Sequence, residues 1–542
     1  MNTKGMEELH IDRVETCHTA NGSVTGNIKL IRDSEVVLVP TPTNDPNGKS
    51  VLSTTCGFFF SNNDHVDPLN LPVWQKYLIL LIVGTYAATG NLMTSGLSAF
   101  LPAVKASYNG DNKANDLVTW PAFFMGVGNL LSIPIASAVG RRPTYLVSTI
   151  LLAFGCLWCA KSGSLESHIA GRDIMSIAAG TAEALCPIIV EEIFYLHERG
   201  KVVAAYSALQ TVGTAALIIA SPYIASNPSL GWRWWYGIFG CISGAVAVLS
   251  IIFVKETQYE RPLEALRGEG IESDGVLVPV TTNTKRVLDD INYRPRSFLR
   301  DMAPWSENAK WSRAVECCKQ MGQVIFFPDV LWLILLNSAG LGIYVLMSAL
   351  FAEVLVQFPF SWGFNTLGYV FAGQIATAIV VPVLCGSFSD LTTKWLSIRN
   401  NGFSEPEYRL LALIIPTVAI VISTVIYGRT AEHPQDWSWA GIAVTLNFEY
   451  FGFVGIVVSS FVYCMDAYPQ RVSAALVLIC SLRGFIGFGI SYGAIAFVNA
   501  IGYEGSFNIC TGIVGALMFI GIFVYVFGRH IRRRTQRFAV DH

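Results

Sequence analysis

Apolar positions in this chain run together in long stretches, and short polar turns separate them. A helix needs about 20 apolar residues to cross the hydrocarbon core of a bilayer. The pattern predicts twelve such helices, at roughly 76–103, 116–138, 143–161, 166–195, 201–226, 233–254, 329–354, 363–388, 409–428, 437–464, 471–498 and 505–528. Several contain Gly or Pro, which membrane helices tolerate because neighbours re-satisfy the freed backbone groups. The twelve fall into two groups of six. Residues 255–328 separate them, with 11 basic and 11 acidic side chains, and read as a polar linker. The expected layout is an N-terminal tail over 1–75, a six-helix bundle over 76–254, the linker, a second six-helix bundle over 329–528 and a basic tail over 529–542. The fold class is all-α integral membrane. The first 70 residues lack a basic start followed by a short apolar stretch, so no cleavable signal peptide is expected.

Composition agrees. Charged residues make up 14% and hydrophobic ones 52%, with a mean hydropathy of +0.46. Soluble domains carry about 25% charged residues. A net charge of -2 gives no basic footprint for nucleic acid. Most of the twelve cysteines lie in apolar runs, where Cys acts as a small hydrophobe. Cys156 and Cys159 form a CxxC and are expected to pack, since a redox pair needs an accessible thiolate. No phosphate-binding G-x-x-x-x-G-K-[ST] loop and no H-E-x-x-H occur, which argues against a primary pump and a zinc hydrolase. No metal or cofactor is expected.

Lys and Arg concentrate on the side of the membrane that a chain retains in the cytoplasm. With the N-terminus inside, the inner segments hold Arg141, Arg142, Arg199, Lys201, Lys394, Arg399, Arg409, Arg471, Arg529, Arg532, Arg533, Arg534 and Arg537. The outer loops hold Lys105, Lys113, Lys161, Arg233 and Arg429. Thirteen against five places both termini in the cytoplasm.

After the second span comes Pro134-Ile135-Ala136-Ser137-Ala138-Val139-Gly140-Arg141-Arg142. Gly140 permits a tight turn, and the arginines can bind helix C-terminal carbonyls and acidic partners. The second half carries a partial copy, Gly386-Ser387-Phe388-Ser389-Asp390. With six plus six spans and a long middle loop, this resembles the major facilitator superfamily, whose inner-loop signature is G-x-L-A-D-R-x-G-R-R. Ser137 stands where that signature has Asp, and Ile133 where it has its first Gly. Further stretches are similar to the fungal 12-span drug:proton antiporter-like branch. They include Glu191-Glu192-Ile193-Phe194-Tyr195-Leu196-His197-Glu198-Arg199-Gly200-Lys201, Gly231-Trp232-Arg233-Trp234-Trp235-Tyr236, Glu405-Pro406-Glu407-Tyr408-Arg409-Leu410 and Tyr463-Cys464-Met465-Asp466-Ala467-Tyr468-Pro469. Exporters of that branch carry G-P-x-x-G-G in span 5. This chain has Ala220-Ser221-Pro222-Tyr223-Ile224-Ala225 there. The same branch includes importers of polyamines and other cations. The resemblance implies that Gly140, Arg141, Arg142, Glu198, Arg199, Asp390, Asp466 and Arg471 form gate motifs on the cytoplasmic side, with Asp466 beside Arg471.

The N-terminal tail of fungal members resembles L-V-P-x-P-S-x-D-P-N-D-P-L-N-W. Here Leu38 to Asn47 match its start and Asp67-Pro68-Leu69-Asn70 resume it. Residues 48–66 interrupt the pattern. Gly48-Lys49-Ser50 can be encoded as a splice donor and Val66-Asp67 as an acceptor, with the frame kept. The stretch is expected to be a translated intron, the alternative being a genuine loop insertion, which tails tolerate.

Ionisable groups inside a bilayer are expensive and face a cavity or a partner. Arg172, Asp173 and Glu183 in span 4 are the proton-coupling candidates. Arg172 resembles the superfamily's span-4 arginine. Glu183 lies 11 residues on, nearly on the same helix face and about 16 Å along the axis, so the two are expected to line one cavity. In the second half Glu449 and Arg483 are expected to pair. Spans 1, 4, 7 and 10 line the cavity in this superfamily. That nominates Asn91, Thr94, Asn337, Tyr344, Asn447, Glu449 and Tyr450, with Tyr369 and Gln374 from span 8. For each lone polar residue, hydrogen bonding between helices is the competing reading.

The implied protein is a secondary transporter in a fungal plasma membrane, working as a monomer on a small solute and protons. Its bundles would rock about a central site, and protonation of Glu183 would bias the states. Export of a drug-like compound or secondary metabolite leads. Import of polyamines or other organic cations is the alternative, and a non-transporting receptor or sensor is a third reading.

Overall fold

A computed structural model describes residues 68–227, 231–258, 309–399, 405–468 and 471–539. It adds two short strand pairs, Ile31–Arg32 with Glu35–Val36 and Glu269–Ile271 with Leu277–Pro279. Residues 48–66, where the insert is expected, lie outside the described residues.

Among the described residues, twelve helices are long and apolar enough to cross a membrane. In order, spans 1 to 12 are Val73–Ser107, Lys113–Val139, Arg141–Lys161, Leu165–Ile193, Ala205–Ala225, Gly231–Phe253, Pro328–Val356, Thr366–Leu396, Pro406–Glu432, Ala440–Ala467, Val472–Ala494 and Ala496–Thr535. An even number of crossings puts both tails and the linker on one side, called here the tail side. The opposite side is the far side. Large apolar side chains such as Val147, Phe154, Phe519 and Phe523 are more than half exposed in mid-span. Water would not tolerate that belt, and lipid requires it.

Spans 1–6 pack as one bundle and spans 7–12 as another. The bundles meet along two seams, span 2 against span 11 and span 5 against span 8. Span 5 carries Pro222 at the second seam, against Gly368 of span 8. Span 8 is interrupted, with a 3-10 stretch over Phe364–Ala372 and a π stretch over Pro382–Ser387. Pro382 supplies no amide hydrogen, so the regular ladder cannot continue through it. The continuous helix that carries spans 11 and 12 breaks at Gly502, φ 81°, inside the range of span 12. The Glu432 carboxylate accepts the next two amides, Tyr503 at 2.7 Å and Glu504 at 3.3 Å, and so caps the rest of span 12. Within the linker a helix, Trp311–Val324, packs against spans 2 and 11. Cys156 and Cys159 are buried, unbridged packing groups.

Candidate functional site

Four glycines bring spans 2, 4 and 11 together. A Cβ on Gly128 would lie 2.1 Å from the Ile177 carbonyl oxygen, and one on Gly180 would lie 2.5 Å from that of Met125. Spans 2 and 4 thus touch backbone to backbone, which no larger residue permits. The contact sets Asn129 beside Glu183, with Nδ2 donating to Oε2 over 3.2 Å. Gly126 and Gly484 do the same across the seam. A Cβ on Gly126 would stand 2.9 Å from the Ser481 oxygen, and one on Gly484 would stand 3.0 Å from that of Ala122. Arg483, next to Gly484, reaches Glu183 with Nη2 2.6 Å from Oε2. The side chains are 4% and 20% exposed, so the pair is largely removed from water.

From Arg483 the site continues over aromatic faces. Its guanidinium carbon lies 5.3 Å from the Phe453 ring centroid. Phe453 stacks on Tyr344, and Tyr344 meets Tyr450 at 5.2 Å. Gln374 Nε2 donates to the Tyr344 hydroxyl at 2.9 Å. Thr211 of span 5 faces the Tyr450 hydroxyl, and Tyr450 lies in the field of Glu183. Spans of both bundles thus bring together one carboxylate, one guanidinium, three rings and the Gln374 amide. The carboxylate can take up a proton. The rings and carboxylate suit an organic cation, and the amide and hydroxyls orient a polar group.

Beyond this site, on the far side, both seams are shut. Trp120 packs on Phe488 at 5.0 Å and Phe123 on Phe485 at 5.2 Å. On the other seam the Tyr223 and Tyr369 hydroxyls bond at 2.5 Å. There the span-5 motif has lost its glycines, but Gly368 of span 8 supplies the close approach. A Cβ on it would lie 2.8 Å from the Ile219 oxygen.

The other nominated residues lie elsewhere. Arg172 and Glu183 have separate partners. Arg172 is fully buried near the far side of the first bundle and donates to the Leu117 carbonyl at 2.7 Å, the Thr94 carbonyl at 2.9 Å and the Tyr236 hydroxyl at 2.9 Å. The first acceptor has a cause in the sequence. Pro121 is four residues after Leu117 and cannot donate to its carbonyl, so Arg172 does. Asp173 sits beside Arg172 and near Asp116, with Oδ1 buried and unpartnered. Asn91 likewise keeps a buried, unpartnered Oδ1. The Thr94 hydroxyl turns back to the carbonyls of Gly90 and Asn91.

In the second bundle, Glu449 does not pair with Arg483. Adjacent helix positions point about 100° apart. Tyr450 and Phe453 face span 7, and Glu449 faces span 9, where Ser423 donates to it at 2.9 Å. Asn337 is buried and ties span 7 to Ser460 of span 10 at 2.9 Å. Asn447 ties span 10 to the Val370 carbonyl at 2.7 Å, with Gly373 leaving it room. Tyr369 is half exposed and belongs to the far-side seam.

On the tail side, Gly140 takes φ 124° and opens span 3. The amides of Arg141 and Arg142 donate to Glu256 at 3.0 and 3.2 Å, a carboxylate at a helix N-terminus. Arg141 pairs with Glu192 at 3.2 Å, and Arg142 donates to the Ile251 carbonyl at 2.9 Å. Asp466 is not held by Arg471. It pairs with Arg409, and Arg471 donates to Gln323 of the linker helix at 2.7 Å. The side chains of Glu198, Arg199 and Asp390 lie outside the described residues. Sequence reasoning missed Asn129, although it follows Gly126-Val127-Gly128. It also missed the buried pair of Glu407 with Arg532 at 2.6 Å, and Asp329, which accepts from Tyr463 and Tyr468 at 2.8 Å each.

Residues 80–487 match the family model described as Major Facilitator Superfamily. The chain is 27% identical to an uncharacterized MFS-type transporter of Schizosaccharomyces pombe, over 94% of this chain and 90% of that one. It is 21% identical to the efflux pump radE of Floropilus chiversii, over 88% and 85%. The E. coli proton:xylose symporter XylE, solved with 6-bromo-6-deoxy-D-glucose, shares the fold with a TM-score of 0.54 at 13% identity, over 84% of this chain and 95% of that one.

Proposed function

The chain belongs to the Major Facilitator Superfamily, and from that premise we propose that it is a proton-coupled exporter of an amphipathic organic solute. The observation that carries this is the Glu183–Arg483 pair. Among the described residues it is the ion pair whose partners belong to different bundles. Alternating access moves one bundle against the other about a central site. A bond across the seam must therefore form and break in each cycle.

A proton on Glu183 Oε2 removes the charge that holds Arg483. Arg483 keeps its own charge, and the state in which spans 2, 4 and 11 meet loses its electrostatic tie. Protonation thus has the differential effect on two states that a coupled switch needs. Tyr344, Tyr450, Phe453 and Gln374 then hold the solute beside the switch. Export is supported by the efflux pump among the relatives. The tail side is the cytoplasm, by the excess of Lys and Arg there, and the membrane is the plasma membrane. The protein acts as a monomer.

The site chemistry favours one second reading, import of an organic cation such as a polyamine, because a site that combines a carboxylate with a cluster of three rings suits a cation. Whole-cell accumulation of labelled spermidine and of a lipophilic cationic drug, at two external pH values, separates the two. Export predicts lower drug accumulation in wild-type cells than in Glu183→Gln cells. Spermidine entry that depends on Glu183 would assign import. Binding without transport of either, in reconstituted vesicles, would turn the reading to a sensor.

A further inference from the structure

The linker helix Trp311–Val324 has three faces. One step along a helix turns about 100°, so residues three and four apart share a stripe. Ala314, Cys317, Met321 and Val324 form the first stripe. Cys317, Met321 and Val324 are 8%, 6% and 1% exposed, and this face packs on spans 2 and 11. Ser312, Glu316, Lys319 and Gln323 form the second, which is polar and exposed. Trp311, Val315, Cys318 and Gly322 form the third. It is apolar, yet Trp311 is 60% and Val315 56% exposed. Phe326, just past the helix end, extends this stripe and is 82% exposed.

A helix lying on a soluble surface has two faces, one toward protein and one toward water. A third, apolar face wants a third medium. We infer that this helix lies in the tail-side interface of the bilayer, with Trp311, Val315, Cys318 and Phe326 seated in lipid.

Continuity with the membrane surface chooses lipid over a protein partner. Span 7 begins at Pro328, four residues after the helix ends. Its exposed Leu331 and Leu335 carry the apolar surface from Phe326 into the bilayer. Tryptophan prefers the membrane–water interface. Lys319 borders the apolar stripe, where its stem can lie on lipid and its ammonium reach the headgroups. Lys310, Arg313 and Lys319 outnumber Glu316 on this segment, which favours an anionic leaflet.

The placement matters because the inward face straps the seam between the bundles. The Lys310 amide donates to the Ala138 carbonyl of span 2 at 3.0 Å. Gln323 accepts from Arg471, just before span 11, at 2.7 Å. A cavity of about 330 Å³ lies between them, lined by Ser137, Gln258, Arg313, Glu316, Gln320 and Arg471. Ser137 there stands where the family signature carries Asp. When the seam opens on the tail side, this helix must shift with it along the lipid surface.

The test uses the full chain, made cysteine-free and returned to vesicles of phosphatidylcholine and phosphatidylserine. Single spin labels go at 315, 318 and 322 on the apolar stripe and at 312, 316, 319 and 323 on the polar stripe. Accessibility to oxygen, which partitions into lipid, is compared with accessibility to a nickel chelate, which stays in water. The expected result is an inversion of the oxygen-to-nickel ratio between the stripes. Equal ratios would overturn the inference. So would exclusion of both reagents from the apolar stripe that disappears on diluting the protein in lipid, which would assign that stripe to a second copy. A label at 147, in mid-span on the lipid face, reports that the chain has reassembled.

Discussion

Replacing Glu183 with Gln keeps its shape and removes its charge. In the structure Glu183 meets Arg483 at 2.6 Å and Asn129 at 3.2 Å. With charge centres about 4 Å apart and an effective dielectric constant of about 20, the attraction is about 4 kcal/mol. Leaving one member of a buried pair alone costs about 3–5 kcal/mol. Glu183 is 20% exposed, so the lower end applies. The partners sit on different bundles, and the loss falls on the state in which the far-side seams are shut. About 3 kcal/mol shifts such an equilibrium roughly 100-fold. The assay is the reactivity of a single cysteine at 123 or 485, inside the aromatic far-side closure, toward a water-soluble maleimide. Glu183→Gln should open that site and make its reactivity independent of pH. On the proposed coupling, acid breaks the same pair in wild type, and reactivity there moves toward the mutant's value. Arg483→Gln should behave alike, and the double variant should differ little from either single one, because members of one pair are not additive. Additive effects, or unchanged reactivity in Glu183→Gln with pH dependence retained, would refute the reasoning.

Arg172→Leu should lower thermal stability while leaving the pH dependence of transport in place; Pro121→Ala, which restores a donor to the Leu117 carbonyl, should recover part of the loss. Gly180→Ala places a Cβ 2.5 Å from the Met125 oxygen and should cost about 1–3 kcal/mol, read as a lower melting temperature in detergent and loss of the monodisperse peak. Burial pushes the Cys317 thiol above its ordinary range, so Cys317 should react with a maleimide slowly in the folded protein and quickly after denaturation, and mass spectrometry of the labelled peptide follows it. Transcripts should lack the codons of residues 48–66; mature messages that mostly retain them would make the stretch a genuine insertion.

The twelve spans were readable because a bilayer leaves a chain few options, and length plus hydropathy state most of the constraint. Tyr344 and Tyr450 were nominated from span membership, Gln374 as a polar residue of span 8, and Glu183 and Arg483 as ionisable groups inside the bilayer; the structure gathers them. Their pairing was not readable. Arg483 has two carboxylates within a plausible reach in sequence terms, Glu183 and Glu449. The choice rests on Gly126 and Gly484, which let span 11 approach the first bundle. A helical period tells which face a residue occupies, not which bundle that face meets. Arg172 shows the opposite lesson. Its role was legible from Pro121, which leaves the carbonyl four residues back without a donor, and the family resemblance drew attention away from that local signal. The span-5 motif failed for a third reason. Close approach between two helices needs a small residue on one of them, and here span 8 provides it through Gly368.

The charged groups of the membrane region sort by whether their partners can move apart. Glu407 with Arg532, Asp466 with Arg409, and Arg141 with Glu192 each join helices of one bundle. A rigid-body rotation leaves such pairs intact, so they hold a bundle together and are indifferent to the transport cycle. Arg172 and Glu449 find their hydrogen bonds within one bundle too. Glu183 differs because its partners are divided, Asn129 in its own bundle and Arg483 in the other. When the seam opens, Asn129 travels with Glu183 and still offers a neutral donor, while the guanidinium is withdrawn. The proposed coupling therefore needs no long-range pathway. It follows from one carboxylate whose two neighbours belong to bodies that separate.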